Sequence, residues 1–302
     1  MTSVIHASFA KRAESTVVAL HCSLGSGRQW SKLADEIGSS RRFMAPDIAG
    51  YGANTCALEL PLTLAEEIKC LSGALHDATG PIHLVGHSYG GAIAFKIATD
   101  SAFADRVRSL TLIEPVLPTL LRETESDRRL HARFAQLGRD VTEDLWNGSV
   151  LEAIDKFIEF WNGSGPQDPL PATARLRMIE HADKLAFDFA AALAEENLTI
   201  AAASLRVPTL LFSGGMSPYF TQRIVRRLAA IVEGAESRHL PDAGHMLALT
   251  HASTINPEIV RHIARADELA GLSLGPGRIG SQAPLLQFEL HASPDALRKK
   301  NS

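Results

Sequence analysis

A serine set between glycines is the strongest chemical signal in this sequence. Gly86-His87-Ser88-Tyr89-Gly90 lies between a buried strand-like run and a helix-like run, and Gly91 follows it. Small residues two positions away on each side allow the neighbouring backbone to approach a sharp, strained turn. Such a turn lifts the hydroxyl clear of the strand and sets it near a helix start. The pattern predicts that Ser88 is a nucleophile that attacks a carbonyl carbon.

A serine hydroxyl is a weak nucleophile until a base takes its proton, and twelve histidines are available for this role. His245 is the preferred base, because its loop PDAGHM follows the last strand-like run and can return over one edge of a sheet. His87 adjoins the serine, but its side chain is expected to point away. His21 ends the first strand-like run and is expected to hold its loop, whereas His251 has no strand-end position.

These residues lie at the ends of short apolar runs that alternate with amphipathic stretches. The strand-like runs are 16–22, 41–52 (a strand that enters a Gly-rich turn), 81–86, 107–115, 207–215 and 237–245. Helix-like stretches at 62–80 and 90–100 separate the early runs. This β-α-β-α alternation predicts an α/β domain with a doubly wound, mostly parallel sheet and helices on both faces.

Residues 118–204 interrupt this alternation, because they contain no strand-like run. Three helix-like stretches fill the segment, near 119–137, 149–161 and 172–197. Helices inserted above the carboxyl edge of a sheet can form a lid over a ligand site. The expected division is a core of residues 1–117 and 205–266, a helical cap of residues 118–204 and a loosely tethered, Gly- and Ser-rich tail of residues 267–302.

Six segments together resemble the α/β-hydrolase superfamily over about residues 14–265, most weakly in the helical insertion: HCSLGSG, PDIAGYG, GHSYGG, LTLIEP, LLFSGGMSP and PDAGHM. The resemblance implies an α/β-hydrolase fold and an oxyanion hole made by the backbone N–H groups of Ser23 and Tyr89. Two such donors stabilise the negative charge that develops on an attacked carbonyl oxygen. The loop that commonly reads HGxxGS in the family has Cys22 in place of its glycine.

The acid that would orient the histidine departs from the usual pattern of the family. Most members place an aspartate after the penultimate strand, in a pattern like GxxDP, but here the segment reads GGMSP with Ser217 at that position. Glu114, which ends the run one strand beyond the nucleophile, is the preferred replacement, and some branches of the superfamily place the acid there. Glu114 could instead cap its strand or pair with an arginine of the cap. Asp242 is the main rival, although three residues of turn rarely let a side chain reach the far ring nitrogen of His245.

Several other residues have milder expectations. Asp47 is expected to organise its turn rather than react. Three tryptophans could line an apolar pocket, although packing in the core or cap is the commoner role: Trp30, Trp146 and Trp161. Three arginines are expected on a solvated helix face: Arg223, Arg226 and Arg227.

Composition limits the classes of partner. The chain has 302 residues, 45% of them hydrophobic and 21% charged, with a net charge of -4, so no nucleic-acid partner is expected. No apolar run approaches the ~20 residues that cross a bilayer, and no secretory signal is visible. The three cysteines are an odd number without metal-binding spacing, which favours reduced thiols, a cytoplasmic location and no metal. The sequence does not indicate an oligomeric state.

The expected activity is hydrolysis of small or medium uncharged carboxylic esters through an acyl-enzyme, without a metal or organic cofactor. The partner would then be a small-molecule, ester-like substrate. Hydrolysis of a C–C bond, a thioester or a lactone by the same residues is the nearest alternative, because substrate specificity lies in the cap. A non-catalytic ligand-binding protein on the same scaffold is a second alternative, to which the altered positions Ser217 and Cys22 point.

Overall fold

A six-stranded sheet organises the chain in the computed structural model, which describes residues 15–57, 62–162 and 171–271. The strands are β1 (Thr16–Leu20), β2 (Arg42–Met44), β3 (Ile82–His87), β4 (Val107–Ile113), β5 (Thr209–Gly214) and β6 (Glu236–Leu240). Their order in the sheet is β2-β1-β3-β4-β5-β6, and all five neighbouring pairs are parallel. The predicted doubly wound parallel sheet is therefore confirmed.

Helices connect the strands and form the insertion between β4 and β5. The described helices are α1 (Ser31–Ile37), α2 (Leu64–Asp77), α3 (Tyr89–Thr99), α4 (Glu125–Trp146), α5 (Val150–Asn162), α6 (Ala172–Glu180), α7 (Lys184–Ala194), α8 (Leu198–Ser204), α9 (Tyr219–Ile231), α10 (Leu247–Thr250) and α11 (Ala252–Leu269). The insertion therefore contains five described helices rather than three. The expected helix 172–197 is divided into α6 and α7 at residues 181–183, and after α7 Asn197 adopts a left-handed conformation with φ of 57° just before α8. That conformation interrupts the helical hydrogen-bond pattern.

Both faces of the sheet are buried. Along β1, Val18 and Leu20 pack towards α2, α3, α9 and the insertion, whereas Val17 and Ala19 pack towards α1, α10 and α11. Strands that bury both faces read as continuous apolar runs rather than as alternating ones. This explains why the strands were recognisable from the sequence alone.

Arginines of α9 fasten this helix to the insertion. Arg223 Nε donates to Asp127 Oδ1 at 2.6 Å, and the Asp127 carboxylate is almost completely buried. Arg227 pairs with Glu123 on the segment before α4. The expectation of a solvated arginine face is therefore wrong for Arg223 and Arg227, because acidic partners more than 90 residues away in the chain lie against them.

A disulfide joins Cys56 to Cys70 on α2, so the expectation of three reduced thiols is wrong. The pairing was not visible in the sequence, because an odd cysteine count does not indicate which residues are close in space. Cys22 is the free cysteine of the described residues, and burial raises the pKa of its thiol to about 12. The cytoplasmic location stays a prediction.

The last described helix extends past the expected start of the tail. Asp267 is buried in α11 and pairs with Arg41 at 2.9 Å and with His83 at 3.1 Å. Residues 267–269 thus continue α11, with Asp267 packed against the sheet, while residues 272–302 of the expected tail lie outside the described residues. No helix in the described ranges has both the length and the apolarity to cross a bilayer.

Candidate active site

Ser88 lies in a sharp turn between the end of β3 and the start of α3. Its φ of 56° is a left-handed conformation that side-chain-bearing residues rarely adopt, and its N–H donates to Ile113 O at 2.9 Å. Neighbouring backbone approaches so closely that a Cβ on Gly86 would lie 2.5 Å from Gly90 O, and one on Gly90 would lie 2.3 Å from His21 O. The two glycines of the motif are therefore required by contact, and they hold the strained serine in place.

The structure brings Ser88 and His245 together although 157 positions of chain separate them. His245 lies in the loop between β6 and α10, and its Nε2 is 2.9 Å from Ser88 Oγ. Both residues are only 3% exposed, so the hydrogen bond lies in a largely dry environment. A hydroxyl that donates to a neutral imidazole at this distance can lose its proton to that ring as it attacks.

Glu114 completes this chain of hydrogen bonds. It follows β4 with a φ of 44° and is fully buried. One carboxylate oxygen is 2.7 Å from His245 Nδ1, and the other accepts the Gly214 N–H at 2.7 Å. An Nδ1–H that donates to Glu114 leaves Nε2 as the acceptor that faces Ser88 Oγ. The carboxylate thus selects the tautomer that a general base requires.

The two other positions considered for the acid do not reach His245. Ser217 is buried, and its hydroxyl has no hydrogen-bond partner in the described part of the chain. The Asp242 side chain is 83% exposed and lies 3.8 Å from His251 rather than beside the His245 ring. Of the candidate acids, the structure places only Glu114 within hydrogen-bonding distance of His245.

His87 and Gln29 brace the loop that carries His245. His87 Nε2 donates to His245 O at 2.8 Å, and its Nδ1 accepts from Gln29 Nε2 at 3.0 Å. Burial lowers the pKa of His87 to about 3, so the ring stays neutral with one donor and one acceptor. Gln29 Oε1 also accepts the Cys22 N–H at 3.2 Å. Gln29 was missed by the sequence analysis, because a glutamine in a short helical turn has no distinguishing pattern.

His21 and Asp47 shape the neighbouring loops. His21 Nδ1 donates to Cys22 O at 2.8 Å, and its Nε2 accepts the Ile48 N–H at 2.9 Å. Burial lowers the pKa of His21 to about 4, in keeping with this neutral tautomer. Asp47 Oδ1 accepts the Gly27 N–H at 2.7 Å. Both side chains therefore hold backbone in place, as their positions in the sequence predict.

Two backbone N–H groups near Ser88 are unengaged. Neither the Ser23 nor the Tyr89 amide has a hydrogen-bond partner within the described ranges, and Leu24 turns the first loop with a φ of 57°. Ser23, Tyr89 and Ser88 line a small cavity of about 10 Å³, beside aromatic side chains of the insertion. A space of this size holds about one oxygen-sized group. The two expected oxyanion donors therefore belong to residues that lie beside Ser88, and their role stays a prediction.

A larger cavity of about 770 Å³ is also lined by Ser88, together with His245. This volume is typical of sites that enclose a small organic molecule. Apolar side chains from α5, α6 and the His245 loop supply much of its wall: Phe157, Ile158, Trp161, Met178, Met246 and Leu249. Residues of the insertion thus line this cavity, and a role for the insertion as a cap stays a prediction.

Trp161 covers the catalytic candidate His245. Its ring stacks on the His245 imidazole with centroids 4.1 Å apart and planes inclined by 16°. It lines both cavities, and its buried Nε1–H has no partner in the part of the chain described. By contrast, Trp30 packs in the core on the far face of the sheet, and Trp146 is 78% exposed. Only one of the three tryptophans therefore reaches the site.

Metal-ligating side chains do not cluster in this region. Among residues 15–57, 62–162 and 171–271, no group of three or more His, Cys, Asp or Glu side chains could hold a metal ion.

Comparisons with known proteins agree with this architecture. The model of the alpha/beta hydrolase family matches residues 17–257. The chain is 33% identical over 102 residues to Lipase LipV of Mycobacterium tuberculosis, across 33% of this chain and 37% of that protein. It is 32% identical over 103 residues to probable protein phosphatase methylesterase 1 of Caenorhabditis elegans, across 32% and 28% of the two chains. The matches thus span only about a third of these curated relatives.

Solved structures share the whole fold at low sequence identity. The structure of MenH from S. aureus superposes with a TM-score of 0.68 over 84% of this chain and 94% of that one, at 15% identity. The carboxylesterase CesB of Bacillus subtilis superposes with a TM-score of 0.61 over 83% and 84% of the two chains, at 18% identity. Likeness at this level of identity shows a shared fold and does not identify a substrate.

Proposed function

Because this chain belongs to the alpha/beta hydrolase family, we propose that it hydrolyses carboxylic esters through an acyl-enzyme on Ser88. His245 is the general base and Glu114 the acid of the triad. One observation carries the proposal: Ser88 Oγ, His245 Nε2, His245 Nδ1 and Glu114 Oε2 form a continuous chain of hydrogen bonds of 2.9 and 2.7 Å. Hydrolase activity is supported independently by the family match and by the lipase and methylesterase relatives.

The first half of the reaction forms the acyl-enzyme. Ser88 Oγ attacks the ester carbonyl carbon while its proton moves to His245 Nε2, and the Glu114 carboxylate stabilises the resulting imidazolium. The carbonyl oxygen becomes an oxyanion that accepts from the Ser23 and Tyr89 N–H groups in the small cavity. The C–O bond then breaks, and His245 returns its proton to the leaving alcohol.

The second half releases the acid. A water molecule enters from the larger cavity and gives a proton to His245 Nε2 as its oxygen attacks the acyl carbon. The same two N–H groups donate hydrogen bonds to the second oxyanion. Collapse of this intermediate frees the carboxylic acid and returns the proton to Ser88 Oγ, so neither a metal nor an organic cofactor takes part.

The shape of the site favours a substrate that is small or medium in size and largely apolar. The small cavity accommodates the oxyanion and little more, so the acyl and alcohol groups must occupy the larger one. A volume of about 770 Å³ accommodates a small or medium ester. Lactones, thioesters and C–C substrates place an equivalent carbonyl before the same serine, and a substrate panel separates them.

The test is turnover of p-nitrophenyl acetate, butyrate and octanoate beside a lactone, an acyl-CoA and a vinylogous diketone. We expect the wild-type protein and Ser217→Ala to hydrolyse at least one ester, and Ser88→Ala to hydrolyse none. Ser217→Ala is the matched control, since it removes a buried hydroxyl near the site that has no hydrogen-bond partner. Turnover of the diketone alone would contradict ester hydrolysis, and no turnover in the whole panel would favour a ligand-binding protein.

A further inference from the structure

A buried ionic cluster lies beside the oxyanion donors, and the proposed mechanism leaves it without a role. Lys184 and Asp188 belong to α7 of the insertion, and Glu67 belongs to α2. Their side chains are only 3%, 5% and 0% exposed. Lys184 Nζ donates to Glu67 Oε1 at 2.5 Å and also to Asp188 Oδ1. Burying charged groups carries a large desolvation cost, so a purely stabilising role could be filled more simply by apolar side chains.

Each residue that supplies an oxyanion N–H group also has a side chain anchored to this cluster. Ser23 Oγ donates to Asp188 Oδ2 at 2.5 Å, and Tyr89 OH donates to Glu67 Oε1 at 2.9 Å. The Ser23 loop and the start of α3 come from separate parts of the chain. Lys184 therefore links the Ser23 loop to the start of α3, through the Asp188 and Glu67 carboxylates respectively. Its ammonium also lies 4.9 Å from the centre of the Tyr89 ring.

The charges in the cluster are unequally stabilised. Although burial opposes its charge, the pKa of Lys184 lies above its ordinary value, because the Asp188 and Glu67 carboxylates outweigh the desolvation. Burial raises the pKa of Glu67, and Lys184 offsets this only in part. Lys184 therefore holds its charge in this cluster, whereas burial disfavours the charged form of Glu67.

We propose that Lys184, Asp188 and Glu67 act as a positioning cluster that sets the spacing and direction of the Ser23 and Tyr89 N–H groups. The inference rests on the proposed function, since it concerns donors to an oxyanion. Stabilisation of developing charge depends on donors that are already in place before the reaction. The cluster supplies such order by fixing both donor residues from one buried cation, and it gives α7 of the insertion a direct part in the reaction.

The tethers can be removed without removing the N–H groups. Ser23→Ala deletes the hydrogen bond to Asp188, and Tyr89→Phe deletes the one to Glu67, while both backbone amides remain. Ser109→Ala is the matched control, because Ser109 is fully buried and its hydroxyl hydrogen-bonds His83 at 2.8 Å on the strand next to β3, away from the cavity. Each of the three variants loses one side-chain hydrogen bond, which is buried for Tyr89 and Ser109 and part-buried for Ser23.

The readouts are kcat, KM, the melting temperature and the Kd of phenylboronic acid, which forms a tetrahedral adduct on an active serine. We expect each tether variant to lose about tenfold in kcat with KM within twofold of wild type. The Kd of the boronate should rise by the same factor. Ser109→Ala should lower the melting temperature while leaving kcat and the boronate Kd unchanged.

The inference is overturned if both tether variants keep kcat and the boronate Kd within twofold of wild type. Lys184→Met leaves two buried carboxylates without a cation and can fail to fold, so the tether variants carry the test. Lys184→Arg should retain more activity than Lys184→Met, since it keeps the cation. A wild-type protein that neither cleaves esters nor binds the boronate would instead refute the proposed function, which distinguishes the two failures.

Discussion

Replacing Glu114 by glutamine changes one atom and should reverse the hydrogen bonding of the histidine. Both carboxylate oxygens of Glu114 accept a hydrogen bond, one from His245 Nδ1–H and one from the Gly214 N–H, each at 2.7 Å. A glutamine amide has a single acceptor oxygen. The fixed Gly214 N–H requires that oxygen, so the amide nitrogen must face His245 Nδ1. The imidazole proton then moves to Nε2, and Nε2 can no longer accept a hydrogen bond from Ser88 Oγ.

The expected loss in kcat is about 10³- to 10⁴-fold, the effect of holding a catalytic histidine in the wrong tautomer. This corresponds to about 4–5.5 kcal/mol in the activation barrier. KM should change little, because Glu114 is fully buried and does not line either cavity. The free energy of unfolding should also change little, since every hydrogen bond at the position can still be made.

Steady-state hydrolysis of p-nitrophenyl butyrate by wild type, Glu114→Gln and Ser217→Ala provides the assay. Ser217→Ala should stay within about twofold of wild type, since its hydroxyl has no partner to lose. Circular dichroism melts establish that each variant is folded. A Glu114→Gln protein within tenfold of wild type, together with a large loss in Ser217→Ala, would refute the reasoning and place the acid elsewhere.

Three further predictions concern the surroundings of the site. Trp161→Ala removes the ring stacked on His245 and should lower kcat for ester hydrolysis about tenfold, because the aromatic face stabilises the imidazolium. Trp161→Phe should have an intermediate kcat, and equal kcat values in the wild type and both variants would contradict this. Burial lowers the pKa of His87 to about 3 and of His21 to about 4, from an ordinary value of 6.5. As the pH falls below 6.5, both histidines therefore take up a proton in the unfolded chain but stay neutral in the folded protein. The free energy of unfolding in urea should therefore fall by about 2 kcal/mol for each histidine between pH 8 and pH 5, and a flat profile would count against their neutral, buried state. Gly90→Ala should prevent folding, because its Cβ would meet backbone at 2.3 Å. Gly73→Ala, at an exposed position of α2 with nothing within 4 Å, should raise the free energy of unfolding by about 0.5–1 kcal/mol in thermal or urea unfolding. A folded, active Gly90→Ala protein would contradict the contact argument.

Local patterns explain which parts of the site were predictable. Gly86 is required by contacts within a single strand–turn–helix unit, because a Cβ there would meet Gly90 O, whereas Gly90 is required by the backbone of His21 just after β1. The motif is therefore visible in adjacent residues, although part of its physical reason lies in a neighbouring strand. His245 and Glu114 were reachable because each follows a strand-like run, and the carboxyl ends of parallel strands meet at one edge of the sheet. The structure brings both residues together with Ser88, and the chemical roles of all three stay predictions until they are tested.

Long-range pairing explains what the sequence did not disclose. Lys184 and Glu67 are 117 positions apart, and neither residue type indicates a buried partner before the insertion is folded onto α2. The arginines of α9 looked solvated for the same reason, since Asp127 reaches Arg223 only in the folded chain. Helix breaks in the insertion depend on single residues such as Asn197, whose left-handed conformation does not disturb the apolar pattern around it.

The central claim is that Ser88 is an activated nucleophile, and covalent capture tests it most directly. The folded protein would be treated with a fluorophosphonate, digested and analysed by peptide mass spectrometry, with a heat-unfolded sample alongside. We expect one phosphonyl adduct, on the peptide that contains Ser88, and we expect it only in the folded protein. An adduct on a different residue, or an unmodified Ser88 in protein shown to be folded, would contradict it.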